Sequence, residues 1–169
     1  MAVTANVSAS VSGSQTSALD LGTITFPFST TASTAFTSGT GAGQVDMVFT
    51  DTRTLSASAT ENLDLAGSLT GALGTTLTFA RIKAVFISAA AANTNDVQVT
   101  RPASNGTALF MAAGDGIALR PGAFFAWGSG SADATGVTVT AGTGDLLTVT
   151  NSAGTTSVTY TVVIVGCSA

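Results

Sequence analysis

Histidine is absent from this chain of 169 residues, and cysteine occurs once, at Cys167. Without imidazole the commonest general base and the commonest catalytic metal ligand are missing, which removes most hydrolase triads and most zinc or iron sites. A lone thiol closes no internal disulfide, so the chain lacks the framework of a stapled secreted module and is expected to fold in a reducing cytoplasm. Charge is scarce too, at 8% of residues against ~25% in ordinary domains. The five basic residues, Arg53, Arg81, Lys83, Arg101 and Arg120, are scattered through a chain of net charge −4. Neutralising a phosphate backbone needs them clustered, so no nucleic-acid partner is expected. No run approaches the ~18 apolar residues of a membrane span, and the first twenty residues lack the basic and apolar regions of a secretory signal. No membrane partner is expected either.

What remains is 45% apolar residues and a Ser plus Thr content of about 28%, so the surface must be hydroxyl-rich rather than ionic. A chain of this length buries roughly 68–70% of its unfolded surface, enough for one domain with a real core. The dominant period is two. Val3, Ala5, Val7, Ala9 and Val11 alternate with Thr4, Asn6, Ser8, Ser10 and Ser12, which predicts a half-buried strand. Thr23–Phe28 and Gln44–Arg53 read likewise, with Pro27 implying an edge or a bulge. Thr30–Gly43 reads as a long loop or exposed arm. Glu61–Gly74 alone has helical spacing, through Leu65, Leu69 and Leu73, and its three glycines limit it to a turn or two. From Leu77 onward short alternating segments are separated by Gly, Asn, Asp or Pro. The last of them places Val158, Tyr160, Val162 and Ile164 on one face, and its second half is apolar on both faces, as in a central strand covered on both sides.

These strands predict an all-β chain: an antiparallel β-sandwich of jelly-roll type with an extended N-terminal region. The texture changes near residue 60. Residues 1–60 are read as N-terminal strands forming an arm that packs on a neighbouring subunit, and residues 61–169 as the sandwich body.

Candidate chemistry is thin. Gly39–Gly43 is glycine-rich, but a dinucleotide loop must open a helix and this one leads into a strand, so it reads as a turn. Asp46, Asp51, Glu61 and Asp64 are close enough in sequence to imagine an acid–base pair, yet nothing sets the ~5–10 Å separation that such chemistry needs, and solvated charges are the expected reading. Asn93–Asp96 lacks the spacing of a calcium loop and reads as a hairpin turn. Cys167 has no basic neighbour in sequence and reads as an inert thiol. Repeated Thr-x-Thr pairs place hydroxyls along strand faces at intervals too irregular for a solenoid, as befits a wettable strand former. No catalytic site, metal or organic cofactor is expected, and the protein is expected not to be an enzyme. Phe124, Phe125 and Trp127 are read as core. Phe26, Phe28 and Phe36, with Val3, Val7 and Val11, are the candidate subunit-interface residues.

Several segments look familiar together: the Leu-Arg-Pro-Gly turn before an aromatic strand (Leu119–Trp127), the Ala-Gly-Thr-Gly-Asp turn (Ala141–Asp145), the Asn-Ser-Ala-Gly turn (Asn151–Gly154) and the closing Tyr-x-Val-Val-Ile-x-Gly strand (Tyr160–Gly166). Over about residues 61–166 the chain resembles a family of small all-β structural proteins of tailed bacteriophages. The resemblance implies a virion protein, made in the host cytoplasm, that decorates or cements the capsid surface. Its partners would be the major capsid protein and itself, as a homo-oligomer with a trimer favoured. The alternatives are a head-fibre, spike or tail component that contacts the host, and a non-viral surface adhesin or lectin-like carbohydrate binder.

Overall fold

A computed structural model describes residues 2–169, and among these every regular element is a β-strand. In chain order the strands are β1 (Ala5–Leu19), β2 (Gly22–Ser38), β3 (Gln44–Val45), β4 (Met47–Leu55), β5 (Thr60–Asp64), β6 (Ala66–Thr70), β7 (Thr76–Thr78), β8 (Arg81–Ala89), β9 (Val97–Thr100), β10 (Gly116–Leu119), β11 (Phe124–Gly128), β12 (Val137–Thr138), β13 (Leu146–Asn151) and β14 (Val158–Cys167). The expected short helix over Glu61–Gly74 is not formed. Of the three leucines that carried that spacing, Leu65 and Leu69 reach the core, from β6 and the residue before it, whereas Leu73 is exposed in the turn between β6 and β7; Leu77 of β7 fills the place beside Leu69. Glycines at 67, 71 and 74 weaken a helix here, and two short strands that each bury one leucine form instead.

Two antiparallel sheets face each other across the main core. One has the order β11-β8-β14-β4, with β12 also paired to β8, and the other the order β10-β9-β13-β5. β14 is central, and Val158, Tyr160, Val162 and Ile164 all point into the core with no exposure, as their alternation predicts. They meet Leu63, Val97, Val99, Leu147 and Val149 of the opposing sheet. On the outer faces the hydroxyl ranks pair across strands: Thr52 with Thr161 at 3.0 Å, Thr54 with Thr159 at 3.1 Å, and Thr60 with Thr150 at 3.0 Å. Thr-x-Thr therefore supplies a charge-free wet surface that still satisfies its own donors.

The sandwich begins at Met47 rather than at residue 61. β4 pairs β14 along nine positions, so residues 47–60 belong to the body. The predicted long loop over Thr30–Gly43 is mostly strand: β2 runs to Ser38, and only Gly39–Gly43 turns, closed by Thr37 N–H to the Gly43 carbonyl at 3.0 Å and Gly41 N–H to Gln44 Oε1 at 2.9 Å. Asn93–Asp96 does not close a hairpin either. It joins β8 to β9, which lie in opposite sheets, and the side chains clamp that crossover: Asn93 Nδ2 donates to the Thr159 carbonyl at 2.9 Å and Asn95 Nδ2 to Asn151 Oδ1 at 3.0 Å.

Candidate functional site

The N-terminal strands form one long antiparallel ribbon, β1 against β2, in unbroken register from Ala5–Phe36 to Leu19–Gly22 around the two-residue turn Asp20-Leu21. Only its base touches the body. Val3, Phe36 and Val45 are buried with Ala84 and Val165 from the outer side of β8 and β14, and Ala5, Val7, Val48 and Val163 close around them. This second cluster explains why the last turns of β14 are apolar on both faces: one side meets the opposing sheet and the other meets the chain's own N-terminal strands. A partly open cavity of about 360 Å³ remains beneath the base, lined by Val7, Ala84, Phe86, Ala126 and Val163 among others.

Beyond the base every residue from Ser8 to Ser33 is exposed. At ~3.4 Å per residue the free ribbon from Ala9 to the turn at Leu19 extends roughly 35 Å from the body. Its two faces differ sharply, because register and the period of two send alternate pairs to opposite sides. One face carries Val7–Thr34, Ala9–Ala32, Val11–Thr30, Gly13–Phe28, Gln15–Phe26, Ser17–Ile24 and Leu19–Gly22; the other carries Ser8–Ser33, Ser10–Thr31, Ser12–Ser29, Ser14–Pro27, Thr16–Thr25 and Ala18–Thr23. The first face is apolar and continues the face that packs on the body. The second is almost wholly hydroxyl.

On the apolar face the large side chains are uncovered, with Val11 at 62%, Phe26 at 67% and Phe28 at 47% exposure. Phe28 lies across Gly13, where an added Cβ would sit 2.6 Å from the ring, so the glycine gives the ring its seat. Pro27 sits opposite Ser14, far from Thr37 and Ser38 where the third strand, β3, pairs with β2, so its missing N–H interrupts no ladder with β3. Leu21 at the turn is fully exposed.

The six candidate interface residues thus divide. Val3 and Phe36 are spent on the chain's own packing and Val7 partly so, while Val11, Phe26 and Phe28 stand free on one face. Leu19 and Ile24 belong with them and follow from the same alternation once the register is known. The aromatic strand alternates as well. Phe125 and Trp127 pack against the main core, but Phe124 faces outward at 63% exposure, stacked on Phe86 with centroids 5.9 Å apart.

The four candidate carboxylates are not brought into one cleft. Asp46 accepts from Ser168, at 2.8 Å from the backbone N–H and 2.5 Å from the hydroxyl, and Asp64 caps the Ala66 N–H at 2.9 Å. Asp51 and Glu61 are joined through Arg53, which ion-pairs with both and lies over the Phe49 ring. Glu61 also accepts from the Tyr160 hydroxyl at 2.7 Å, so the group ties β5 of one sheet to β4 and β14 of the other. Burial, then the hydrogen bond to Glu61 and its charge, raise the Tyr160 hydroxyl far above its ordinary range. For Arg53, the bond to Glu61 and the carboxylate charge outweigh burial and raise the guanidinium further. Together Asp51, Arg53, Glu61 and Tyr160 form a strut between the two sheets. Cys167 is buried, donates to the Gln44 carbonyl at 3.3 Å, and is pushed up by burial and then by Asp46. Among the described residues no group of three or more His, Cys, Asp or Glu side chains is placed to hold a metal ion, and no helix is long and apolar enough to cross a membrane.

Compared with known protein families, curated proteins and solved structures, the chain gives no match.

Proposed function

We propose that this chain is a structural protein of a bacteriophage virion, one that decorates or cements the head shell and acts by covering and clamping rather than by chemistry. Its partners in this reading are the major capsid protein and other copies of itself in a small homo-oligomer. The observation that carries the reading is the arm: a ribbon with every residue from Ser8 to Ser33 exposed, projecting from a sandwich in which Arg53 and Glu61 form a strut and Asp64 caps a turn. A two-stranded ribbon is marginal alone in water, so one this long fits a protein whose arm is completed by something else.

The sandwich topology supports the same reading. Taking the eight main body strands in chain order, from β4 to β14, the first, eighth, third and sixth make one sheet and the second, seventh, fourth and fifth the other. We read that alternation as jelly-roll type, an architecture shared by viral capsid and lectin domains, so it supports the virion reading without excluding a sugar binder. The segments that carry the resemblance to phage structural proteins fall on its turns and on β11 and β14.

The test is to count and locate the protein in intact particles, and to repeat this with an arm-shortened variant in which Ser10–Thr31 are replaced by Asn-Gly. Decoration predicts a copy number matching the capsomers and loss of the shortened variant from the shell. A few copies at a vertex or tail would favour the fibre reading, and a protein found only free of particles would refute both.

A further inference from the structure

We propose that the apolar face of the arm is a self-association surface, covered by the equivalent face of a second copy of this chain, with the hydroxyl face left to water. This deepens the reading of the arm as a contact element, and does not depend on the shell.

Three observations select another copy as the occupant. The first is charge. From residue 2 to Val45 the only charged side chain is Asp20, at the turn, while the other eight acidic residues and all five basic ones lie in the body. In a symmetric contact a group near the axis meets its own image and every other group meets a different residue of the same face, so a face without charges sets no like charges together in any register. A partner of different sequence chosen by charge would find its complement on the body, not here.

The second is area. Val11, Leu19, Ile24, Phe26 and Phe28 expose on the order of 500 Å² of apolar side chain in one copy, at the upper end of what a monomer leaves uncovered. Laid against an equal face, they bury about 1,000 Å² before the smaller residues are counted, which is the threshold for a specific interface. A dimer lays two such faces together, a trimer closes three about an axis, and both bury the same residues.

The third is continuity. The face that emerges from the body is the face already buried at the base through Ala5, Val7 and Phe36, so the ribbon presents one uninterrupted apolar side with only its outer portion uncovered. Thr30, Gln15 and Ser17 break the stripe without charge and cap it with groups that bond across an interface.

The experiment measures the mass of the full chain by light scattering at around 10 μM, where a micromolar contact is populated. The wild type is expected at two or three times the monomer mass. Phe26→Ser combined with Phe28→Ser is expected to lower that mass two- to threefold, to the monomer. Ser12→Lys combined with Ser29→Lys, on the opposite face of the same ribbon, is expected to leave it unchanged. As a measurement that does not depend on tolerance of the serines, Phe26→Cys should form an intermolecular disulfide under mild oxidation, and Ser12→Cys should not. A monomeric wild type, an oligomer that survives the phenylalanine changes, or crosslinking through Ser12→Cys instead of Phe26→Cys would each overturn the proposal. An oligomer that ignores phage shells refutes the decoration reading and leaves this one standing; a monomer that binds shells does the reverse.

Discussion

Replacing Phe36 by Ala tests whether the arm and the sandwich are separate units of stability. Phe36 is only 2% exposed, and it is the largest side chain in the cluster that holds the ribbon to the outer side of β8 and β14. A phenylalanine of roughly 200 Å² buried to this degree contributes about 5 kcal/mol of transfer free energy, and truncation to Ala removes about 3–4 kcal/mol once the residual methyl is allowed for. That loss is the largest any one side chain of the base can cause, because Val3, Ala5 and Val7 are smaller. The main core, around Tyr160, Ile164 and Ile87, contains no arm residue. Amide hydrogen exchange under native conditions should therefore show protection lost at Ala5–Val7 and Thr34–Ser38, while the amides of β14 and β8 keep theirs within about 1 kcal/mol. If β14 instead lost protection by the same 3–4 kcal/mol as the arm, the two parts would unfold as one unit, and the division between arm and body would be wrong.

The strut beneath β4 and β5 has its own signature. Because the folded state raises the Tyr160 hydroxyl above its ordinary value of 10.0, the stability it contributes is fully present below pH 10 and is lost as pH rises beyond it, by about 1.4 kcal/mol per pH unit. Tyr160→Phe should cost about 1 kcal/mol near neutrality and remove that alkaline slope from denaturant midpoints measured at pH 9–11. Gly166→Ala should destabilise by about 2 kcal/mol or more in thermal melts, since its Cβ would stand 2.2 Å from the Arg81 carbonyl, where the β8–β14 register shifts. Cys167, buried and held as a thiol, should resist a thiol reagent in the native protein and react only when denaturant is added; rapid native labelling would show that the C-terminal strand opens.

Much of this molecule was determined by the sequence alone. A period of two carried by Val, Thr and Ala, with Gly and Asn at the breaks, admits strands and little else, since the same pattern wound as a helix would scatter its apolar residues round the axis. Hence the all-β class, the inward row Val158, Tyr160, Val162 and Ile164, and the two-sided burial of the last part of β14 were all legible. Non-local pairing was not. Alternation says which residues share a face but not which strand lies beside it, so only the tertiary structure assigned β4 to the body, sent Asn93–Asp96 across the sandwich instead of round a hairpin, and laid Val3 and Phe36 on the back of β14. The helical spacing of Glu61–Gly74 misled for a related reason: a three- or four-residue period cannot be told from two short strands until the packing that buries Leu65 and Leu69 and leaves Leu73 exposed is in place. The arm shows the division most plainly. Its two-faced character was written in residues 3–12, but the pairing of Val11, Phe28, Phe26 and Ile24 on one side, and of serine and threonine on the other, came into being only when β1 and β2 met in register, because a one-residue slip would have exchanged the faces of one strand.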